Sequence, residues 1–284
     1  EYIPQNKDNL KFISNFSGSY GFALILKSKN YLFVDGRYTL QAKIQSGKQF
    51  DIITIPKKLP TDILKNKKIS IGFDPKLHTE MMLTRFFRKS SCKLMPINEN
   101  LVNKIWKKRS IEDLNKFYKL KDKDSGETSK NKSKTLLKLL KKNRLNLQFV
   151  TASENVAWVL NLRGRDSEFT PIPNSYLIIS DQSKIFFFCD LKKIDKNLRK
   201  KLKNITVLNI KYISQFLAKI KNKKIQIDIS SCSIFFKNII KKNNIIFEQQ
   251  DPIYLLKSIK NKTEIKNTIK THIYDGAALT KFLF

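Results

Sequence analysis

The fold is decided first by the stretch GFALILKSKNYLFV, which runs from Gly21 to Val34. It holds two short apolar runs, Gly21–Leu26 and Tyr31–Val34, separated by the polar residues Lys27–Asn30. Short apolar runs on both sides of a polar turn are typical of the two strands of a β-hairpin. We therefore expect a hairpin here, at the beginning of a sheet.

Strand and helix patterns alternate after this hairpin. Lys68–Asp74 and Lys93–Ile97 are predicted as strands, and between them an apolar face that includes Leu77, Met81 and Phe86 indicates a helix. This alternation predicts a mixed α/β fold in which a β-sheet is flanked by helices.

The same pattern begins again in the second half of the chain, after a polar stretch that we interpret as a linker, Lys119–Lys134. Further strands are predicted at Leu147–Thr151, Tyr176–Ile179, Lys184–Phe188, Ile205–Ile210, Ile225–Ile229 and Ile245–Phe247. The chain therefore resembles two copies of one design, with the first domain at residues 1–124 and the second at 125–255.

The last segment, residues 256–284, has a different pattern. Asn261 followed by Glu264 predicts a helix start with a capping box. Ile265, Ile269 and Ile273 then give that helix an apolar face that continues towards the end of the chain. Because this helix runs to the end of the chain without a stop signal and the chain begins without an initiator methionine, we expect both ends to be cut from a longer protein.

The net charge is +32, which raises the question of nucleic-acid binding. Only eight of the 56 basic residues are arginine, and the lysines are spread through nearly every segment. Proteins that recognise bases depend on arginine, so we expect a lysine-rich solvated surface and no specific nucleic-acid partner.

The residue types that carry catalysis are sparse. The chain has two histidines, His78 and His272, which lie in different segments, and no phosphate-binding glycine loop or serine elbow. We therefore predict no metal site and no catalytic residue in this chain. The three scattered cysteines indicate reduced thiols in a cytoplasmic protein, and no apolar run is long enough to cross a membrane.

Three motifs stand out against this background. Small residues in Asn15–Gly21 indicate a backbone that passes close to another group, and Val34–Tyr38 is a turn that exposes Arg37 and Tyr38. In Ala157–Asp166 we expect a helix that ends at Gly164, followed by a proline-rich segment. The arginines of these motifs have an alternative interpretation, which is internal pairing with Asp35 or Asp166.

Taken together, the motifs resemble aminopeptidase P, the Xaa-Pro aminopeptidases of the creatinase/prolidase superfamily, in its three-domain form. The resemblance covers essentially the whole chain and rests on segments that occur in family order: Glu1–Pro4, Phe16–Ser19, Phe33–Ala42, Gly72–Pro75, Asn100–Trp106, Ala157–Gly164 and His272–Leu279.

The resemblance implies two tandem creatinase-like N-terminal domains, the first of which lacks its opening strand in this chain. It also implies that residues 256–284 are the first helix of a third domain, the pita-bread catalytic domain. It implies a metallopeptidase that removes the first residue of short peptides with proline in second position, with two manganese ions bound by ligands outside this chain. It also implies a homodimer, and it implies that Arg37, Tyr38 and Arg163 line the mouth of the active site.

A second hypothesis stays open. Pita-bread proteins without the metal site act as binding modules, and a chain of charge +32 would favour acidic protein partners. The presence or absence of the metal ligands in the following sequence distinguishes the two hypotheses.

Overall fold

A computed structural model describes residues 3–110, 114–167 and 169–284 of the chain. The contacts divide the chain into two compact units. Unit 1 comprises Glu1–Asp113 with Ser233–Phe235, and unit 2 comprises Leu114–Cys232 with Phe236–Phe284. Glu1 and Tyr2, which belong to the first of the family motifs, lie outside the described residues.

Unit 1 is a mixed α/β structure. Its strands are β1 (Gly21–Ile25), β2 (Asn30–Asp35), β3 (Asp51–Ile55), β4 (Ser70–Phe73) and β5 (Lys93–Pro96). Its helices are α1 (Asn9–Ser14), α2 (Thr39–Ser46), α3 (Pro60–Ile63), α4 (Glu80–Phe87) and α5 (Leu101–Ile105).

The predicted hairpin of unit 1 is confirmed. β1 and β2 pair antiparallel, with Gly21 opposite Val34, and β3 joins the other side of β2 in parallel. Apolar cores cover both faces of β2, since Phe33 belongs to one cluster and Leu32 and Val34 to another, and all three side chains are fully buried. The helix expected between β4 and β5 begins only at Glu80, because the Thr79 side chain caps it.

Unit 2 contains the larger sheet. Its strands are β6 (Tyr118–Lys119), β7 (Leu147–Val150), β8 (Leu162–Arg163), β9 (Tyr176–Ser180), β10 (Ile185–Cys189), β11 (Thr206–Asn209), β12 (Lys224–Ile227) and β13 (Ile245–Glu248). Its helices are α6 (Asp122–Ser125), α7 (Ser129–Lys142), α8 (Ser153–Leu160), α9 (Lys196–Lys201), α10 (Ile213–Lys219), α11 (Ile234–Lys241), α12 (Ile253–Ser258) and α13 (Lys262–Leu283).

The six-stranded sheet of unit 2 has the order β11-β10-β9-β7-β12-β13. β9 is antiparallel to both of its neighbours, whereas the pairs β10–β11, β7–β12 and β12–β13 are parallel. Buried apolar side chains on one face of β7, β9 and β10 pack with those of β8, α7 and α8 into one apolar core. The mixed α/β class predicted from the sequence is therefore confirmed in both units.

The stretch Lys119–Lys134 is not the open linker that the sequence suggested. It contains α6 and the first turns of α7, and β6 pairs antiparallel with β8. This pairing attaches residues 114–124 to unit 2, so the contacts divide the chain at Asp113, ahead of the predicted boundary at residue 124. The boundary at residue 255 stays a prediction.

The end of α8 also differs from its prediction. The helix stops at Leu160 because Asn161 adopts a left-handed conformation, with φ of 50°, and forms the C-cap. Asparagine tolerates this region better than most residues. Gly164 lies beyond β8, where a Cβ atom would come within 2.9 Å of the Phe117 ring and of the Pro173 backbone.

A buried ion pair stabilises the segment that follows β8. Lys193 Nζ lies 2.5 Å from Asp166 Oδ1, and each side chain is only 2% exposed. The second carboxylate oxygen of Asp166 accepts a hydrogen bond from the backbone N–H of Asn174 at 2.7 Å. Asp166 therefore pairs with Lys193, not with a nearby arginine as the sequence interpretation allowed.

We predict that Asp166→Asn destabilises unit 2 by about 3–5 kcal/mol, because it removes the carboxylate that neutralises a buried ammonium group. Urea unfolding followed by tryptophan fluorescence in a Trp106→Phe background would measure this. Trp158 of unit 2 is then the remaining tryptophan, so the signal reports on that unit. The matched control is Asp122→Asn, which neutralises an exposed carboxylate of α6 in the same unit. We expect this control to change the free energy of unfolding by less than about 1 kcal/mol. A loss for Asp166→Asn as small as that of the control would contradict the prediction.

Candidate functional site

The first candidate group is the turn that follows β2. Asp35 caps it, since its side chain accepts a hydrogen bond from the backbone N–H of Arg37 at 3.0 Å. The same carboxylate is held by the Arg37 guanidinium, with Nη2 at 2.7 Å from Oδ2 and Nε at 3.2 Å from both oxygens. This hydrogen bonding from Arg37 lowers the pKa of Asp35. The internal pairing considered for Arg37 is thus present.

Tyr38 connects this turn to the glycine-containing motif before β1. Its hydroxyl lies 2.7 Å from Ser19 Oγ, and that hydrogen bond is the main reason its pKa is lowered. Its ring also makes an edge contact with Phe16 at 5.6 Å. A Cβ atom at Gly18 would come within 2.9 Å of the Tyr38 ring and 2.3 Å of the Phe16 ring. The close approach predicted from the small residues is therefore confirmed.

The exposed Arg37 and the half-buried Tyr38 thus form one group on unit 1. The guanidinium lies 5.0 Å from the centre of the Tyr38 ring, and the Arg37 side chain is 66% exposed. The pairing with Asp35 fixes the orientation of the guanidinium, and Ser19 fixes the phenol. The sequence identified Arg37 and Tyr38 but not the role of Ser19, because the two motifs are separated along the chain.

Arg163, the third candidate, belongs to unit 2. It lies in β8 opposite Tyr118, and its Nη1 donates to the carbonyl oxygens of Ala157 at 3.1 Å and Leu162 at 2.9 Å. Burial is the main cause of its lowered pKa. The half-buried guanidinium is therefore held by two backbone carbonyls, one in the last turn of α8 and one just after it.

A buried lysine that the sequence analysis passed over lies next to the start of α13. Lys132 is 2% exposed and donates to Asn161 Oδ1 at 2.7 Å and to the Trp158 carbonyl at 3.1 Å. Its ammonium group lies 4.2 Å from the centre of the Trp158 ring. Burial lowers the pKa of Lys132 to about 8, although the nearby carboxylates of Glu264 and Glu127 oppose this shift.

Asn161 extends this arrangement to α13. Its side chain donates to Ser125 Oγ at 3.1 Å and to the Glu127 carbonyl at 2.7 Å. The Ser125 carbonyl in turn accepts from the Asn261 side chain at 2.9 Å. Asn261 caps α13 and forms the capping box with Glu264 that the sequence predicted. We name Lys132, Asn161, Ser125, Asn261 and Glu264 the α13 anchor.

A second polar cluster lies at the carboxyl ends of β7 and β12. Asp251 is 4% exposed and accepts hydrogen bonds from Gln148 at 2.9 Å and Asn155 at 2.8 Å, while its backbone N–H donates to Asp228 at 2.8 Å. Burial raises the pKa of Asp251 to about 6. A glutamine within an apolar strand, Gln148, was the signal available in the sequence.

A shallow groove of about 360 Å³ runs beside the first turns of α13 and includes Asp124, Glu264 and His272 in its lining. Glu264 is engaged in capping, with one carboxylate oxygen 2.9 Å from the Asn261 backbone nitrogen. Within residues 3–110, 114–167 and 169–284, no group of three or more His, Cys, Asp or Glu side chains is arranged to hold a metal ion. These residues therefore do not fit the dinuclear site that the resemblance implies, and no catalytic step is assigned to them.

In the part of the chain that the structure describes, we found no helix with the length and apolar character needed to span a bilayer. The two thiols of unit 2, Cys189 and Cys232, are buried, and burial raises the pKa of each to about 12. Both are therefore protonated and poorly nucleophilic at neutral pH.

Comparison with protein-family models identifies the family to which this chain belongs. Two models of the creatinase/prolidase N-terminal domain match the chain, one at residues 2–105 and the other at residues 108–264. The chain belongs to the creatinase/prolidase N-terminal domain family. The resemblance to this superfamily, and the two tandem domains expected from it, are confirmed.

Curated relatives and a solved structure agree with this family. A probable Xaa-Pro aminopeptidase P from Laccaria bicolor is 33% identical over 99% of this chain and 46% of its own length. Xaa-Pro aminopeptidase 1 from Dictyostelium discoideum is 31% identical over 100% of this chain and 48% of its own length. The crystal structure of an X-prolyl aminopeptidase from Caenorhabditis elegans, described as a cytosolic enzyme with a di-nuclear active site, matches with a TM-score of 0.90 and 25% identity. That match covers 100% of this chain and 49% of the other.

The chain thus spans about half the length of the curated relatives it matches. The placement of Arg37, Tyr38 and Arg163 at an active-site mouth stays a prediction.

We predict that the free energy of unfolding of unit 2 rises relative to a Lys132→Met variant between about pH 8 and pH 10. Burial lowers the folded-state pKa of Lys132 to about 8, below the ordinary lysine value of 10.5. Between these values the unfolded chain holds a proton that the folded chain has released, so stability increases with pH. Urea unfolding at pH 7, 8, 9 and 10 would measure this.

The control for this experiment is Lys134→Met, which changes an exposed lysine of the same helix. Its difference from the native chain should stay constant over this pH range. A constant difference for Lys132→Met as well would contradict the assignment of the pH dependence to Lys132.

Proposed function

We propose that this chain is the non-catalytic N-terminal half of a metal-dependent Xaa-Pro aminopeptidase. The observation that carries the proposal is the structural match over 100% of this chain to 49% of an X-prolyl aminopeptidase. The whole protein would be a cytoplasmic hydrolase that removes the first residue of short peptides with proline in second position.

In this proposal the two manganese ions are bound by residues outside the chain and supply the activated hydroxide and the Lewis acid. The residues of this chain bind and orient the peptide at the mouth of the active site. The exposed guanidinium of Arg37 and the phenol of Tyr38 are suited to this role, because internal hydrogen bonds already fix their orientation. Arg163 is held in the same way by two backbone carbonyls. We further propose that the whole enzyme is a homodimer to whose contacts these domains contribute.

An alternative is a non-catalytic binding module of the pita-bread type that recognises acidic protein partners. The net charge of +32 is the observation that favours it. The two proposals differ in one measurable property, which is manganese-dependent cleavage of a Xaa-Pro peptide by the whole protein. Activity favours the peptidase, and its absence together with binding of acidic proteins favours the module.

We predict that the 284-residue chain by itself does not cleave a Xaa-Pro tripeptide and retains no manganese after gel filtration. The physical reason is that hydrolysis needs several His, Asp or Glu ligands converging on each metal ion, and no such group is found among the described residues. Metal analysis of the eluted protein and a peptide-cleavage assay would measure both quantities. Two tightly bound manganese ions per chain would show that the metal site lies within it.

We predict that Arg37→Gln and Arg163→Gln, made separately in the whole protein, raise KM for a proline-containing peptide about tenfold. This corresponds to the loss of roughly 1.5 kcal/mol for a hydrogen bond to a charged group. kcat should change less, because neither side chain contacts the metal ions. Arg88→Gln, at an exposed position after α4, is the control and should leave KM unchanged.

The mouth assignment is wrong if KM stays constant in both variants while the thermal midpoint falls. That result would give the arginines a purely internal role.

A further inference from the structure

Five of the six strands in the large sheet of unit 2 begin at the same edge of that sheet. The segments that precede these strands therefore lie side by side. β7, β10, β11, β12 and β13 run in the same direction, and β9 runs against them. The segments leading into the five parallel strands therefore meet at one side. We name this side the amino edge and define it by residues 141–146, 181–184, 200–205, 219–223 and 241–244.

The amino edge is strongly basic. Each of the five segments carries at least one exposed basic residue: Lys141, Lys142, Arg144, Lys184, Lys200, Lys201, Lys203, Lys219, Lys221, Lys223, Lys241 and Lys242. The same segments contain a single acid, Asp181, whose carboxylate accepts a hydrogen bond from the Asn146 side chain at 3.1 Å. The distribution along the sequence hides this concentration, because the segments are far apart in the chain.

The entries to β7, β12 and β13 are in direct contact, so their charges belong to one surface. The backbone N–H of Asn146 donates to the Lys224 carbonyl at 2.9 Å. The backbone N–H of Asn222 donates to the Asn243 carbonyl at 2.8 Å, and the Asn244 side chain donates to the Ile220 carbonyl at 2.8 Å.

The acids of the same sheet collect at the opposite edge. Each of them lies at the carboxyl end of a strand, in the loop that follows, or at the start of the next helix. They are Glu154, Asp190, Asp195, Asp228, Glu248 and Asp251. Unit 2 is therefore polarised in its acids: the carboxyl ends of the strands carry these six carboxylates together with several lysines, whereas the amino edge has twelve basic residues and one acid.

Helix dipoles explain only part of this polarity. Lysines in the last turn of a helix are favoured by its negative end. Six of the basic residues of the amino edge lie outside the helices, however, at Arg144, Lys184, Lys203, Lys221, Lys223 and Lys242. Clustered like charges repel one another, and this repulsion destabilises the isolated fold. A bound polyanion would neutralise the charges and remove the repulsion.

The chemistry of the amino edge indicates which polyanion would bind. Its five segments contain no aromatic residue on which single-stranded bases could stack, and one arginine among twelve basic residues. It also lacks exposed large apolar side chains of the kind that anchor protein partners. Lysine ammonium groups act as point charges towards phosphate. The six strands are separated by five spacings of about 4.8 Å, so the row of strand entries is about 24 Å long. About seven base pairs of a duplex cover that length.

We propose that the amino edge of unit 2 binds the sugar-phosphate backbone of a nucleic-acid duplex without sequence preference. The proposal does not depend on the peptidase function, since it uses neither Arg37 nor Arg163. It also agrees with the expectation that the chain has no specific nucleic-acid partner.

Fluorescence anisotropy of a labelled 20-base-pair duplex, titrated with the chain at 50 to 200 mM NaCl, tests the proposal. With one phosphate contacted at each of the five strand entries, the slope of log K against log salt should be about −4.5. The triple variant Lys142→Gln, Lys221→Gln, Lys242→Gln removes one charge from each of three adjacent entries. We expect at least roughly tenfold weaker binding from it and a slope smaller by about 2.7.

The matched control is Lys123→Gln, Lys130→Gln, Lys134→Gln, which removes the same charge from exposed positions in α6 and early in α7. It should keep most of the affinity and the full slope. Equal losses in the two triple variants would show that the binding is diffuse and would overturn the proposal. It would also be overturned by tighter binding of a single strand of the same sequence, of polyglutamate, or of vesicles containing phosphatidylserine.

Discussion

The parallel pairing of β7 with β12 and of β10 with β11 is the constraint on which the rest of unit 2 depends. Parallel neighbours require the chain to return through a helix, so that helix starts follow the carboxyl ends of strands and helix ends precede the next strand. Capping carboxylates such as Asp195 and buried ones such as Asp251 are thereby brought to one side of the sheet. The lysines that close the helices are brought to the other side. Both polar features of this unit are consequences of one choice of strand direction.

The elements that the sequence predicted well are those set by neighbouring residues. The hairpin of β1 and β2 needed only two apolar runs and a polar turn, and the start of α13 needed only Asn261 and Glu264. Predictions failed where the deciding partner is distant. Asp166 pairs with Lys193, 27 residues away, and Lys132 is buried by contacts with residues of α8 and its cap. A lysine in a polar stretch looks solvated until the other side of its pocket is known.

For the candidate residues as well, the sequence identified the residue but not its distant hydrogen-bond partners. Arg37 and Tyr38 were chosen from a motif, and the structure adds Ser19 and Asp35 as the groups that orient them. Arg163 was chosen in the same way, and its partners are the backbone carbonyls at the end of α8. All three side chains are fixed by hydrogen bonds within their own unit. Such side chains lose little freedom on meeting a ligand, which suits a surface that positions a substrate and leaves the chemistry to another part of the protein.

The α13 anchor has a mechanical consequence. α13 has 22 residues, which corresponds to a length of about 33 Å at 1.5 Å per residue. Its half-buried residues are confined to its first turn, where Asn261 and Glu264 hold it. The residues from Ile265 onward are exposed, although the Asn267 side chain still donates to the Asp124 carbonyl at 3.1 Å. A helix held at one end acts as a lever, so a tilt of about 6° at its base moves the far end by about 3.5 Å over that length. The direction of the whole helix is therefore set by two side-chain amides near its start, Asn261 and Asn267, which donate to the carbonyls of Ser125 and Asp124 in α6.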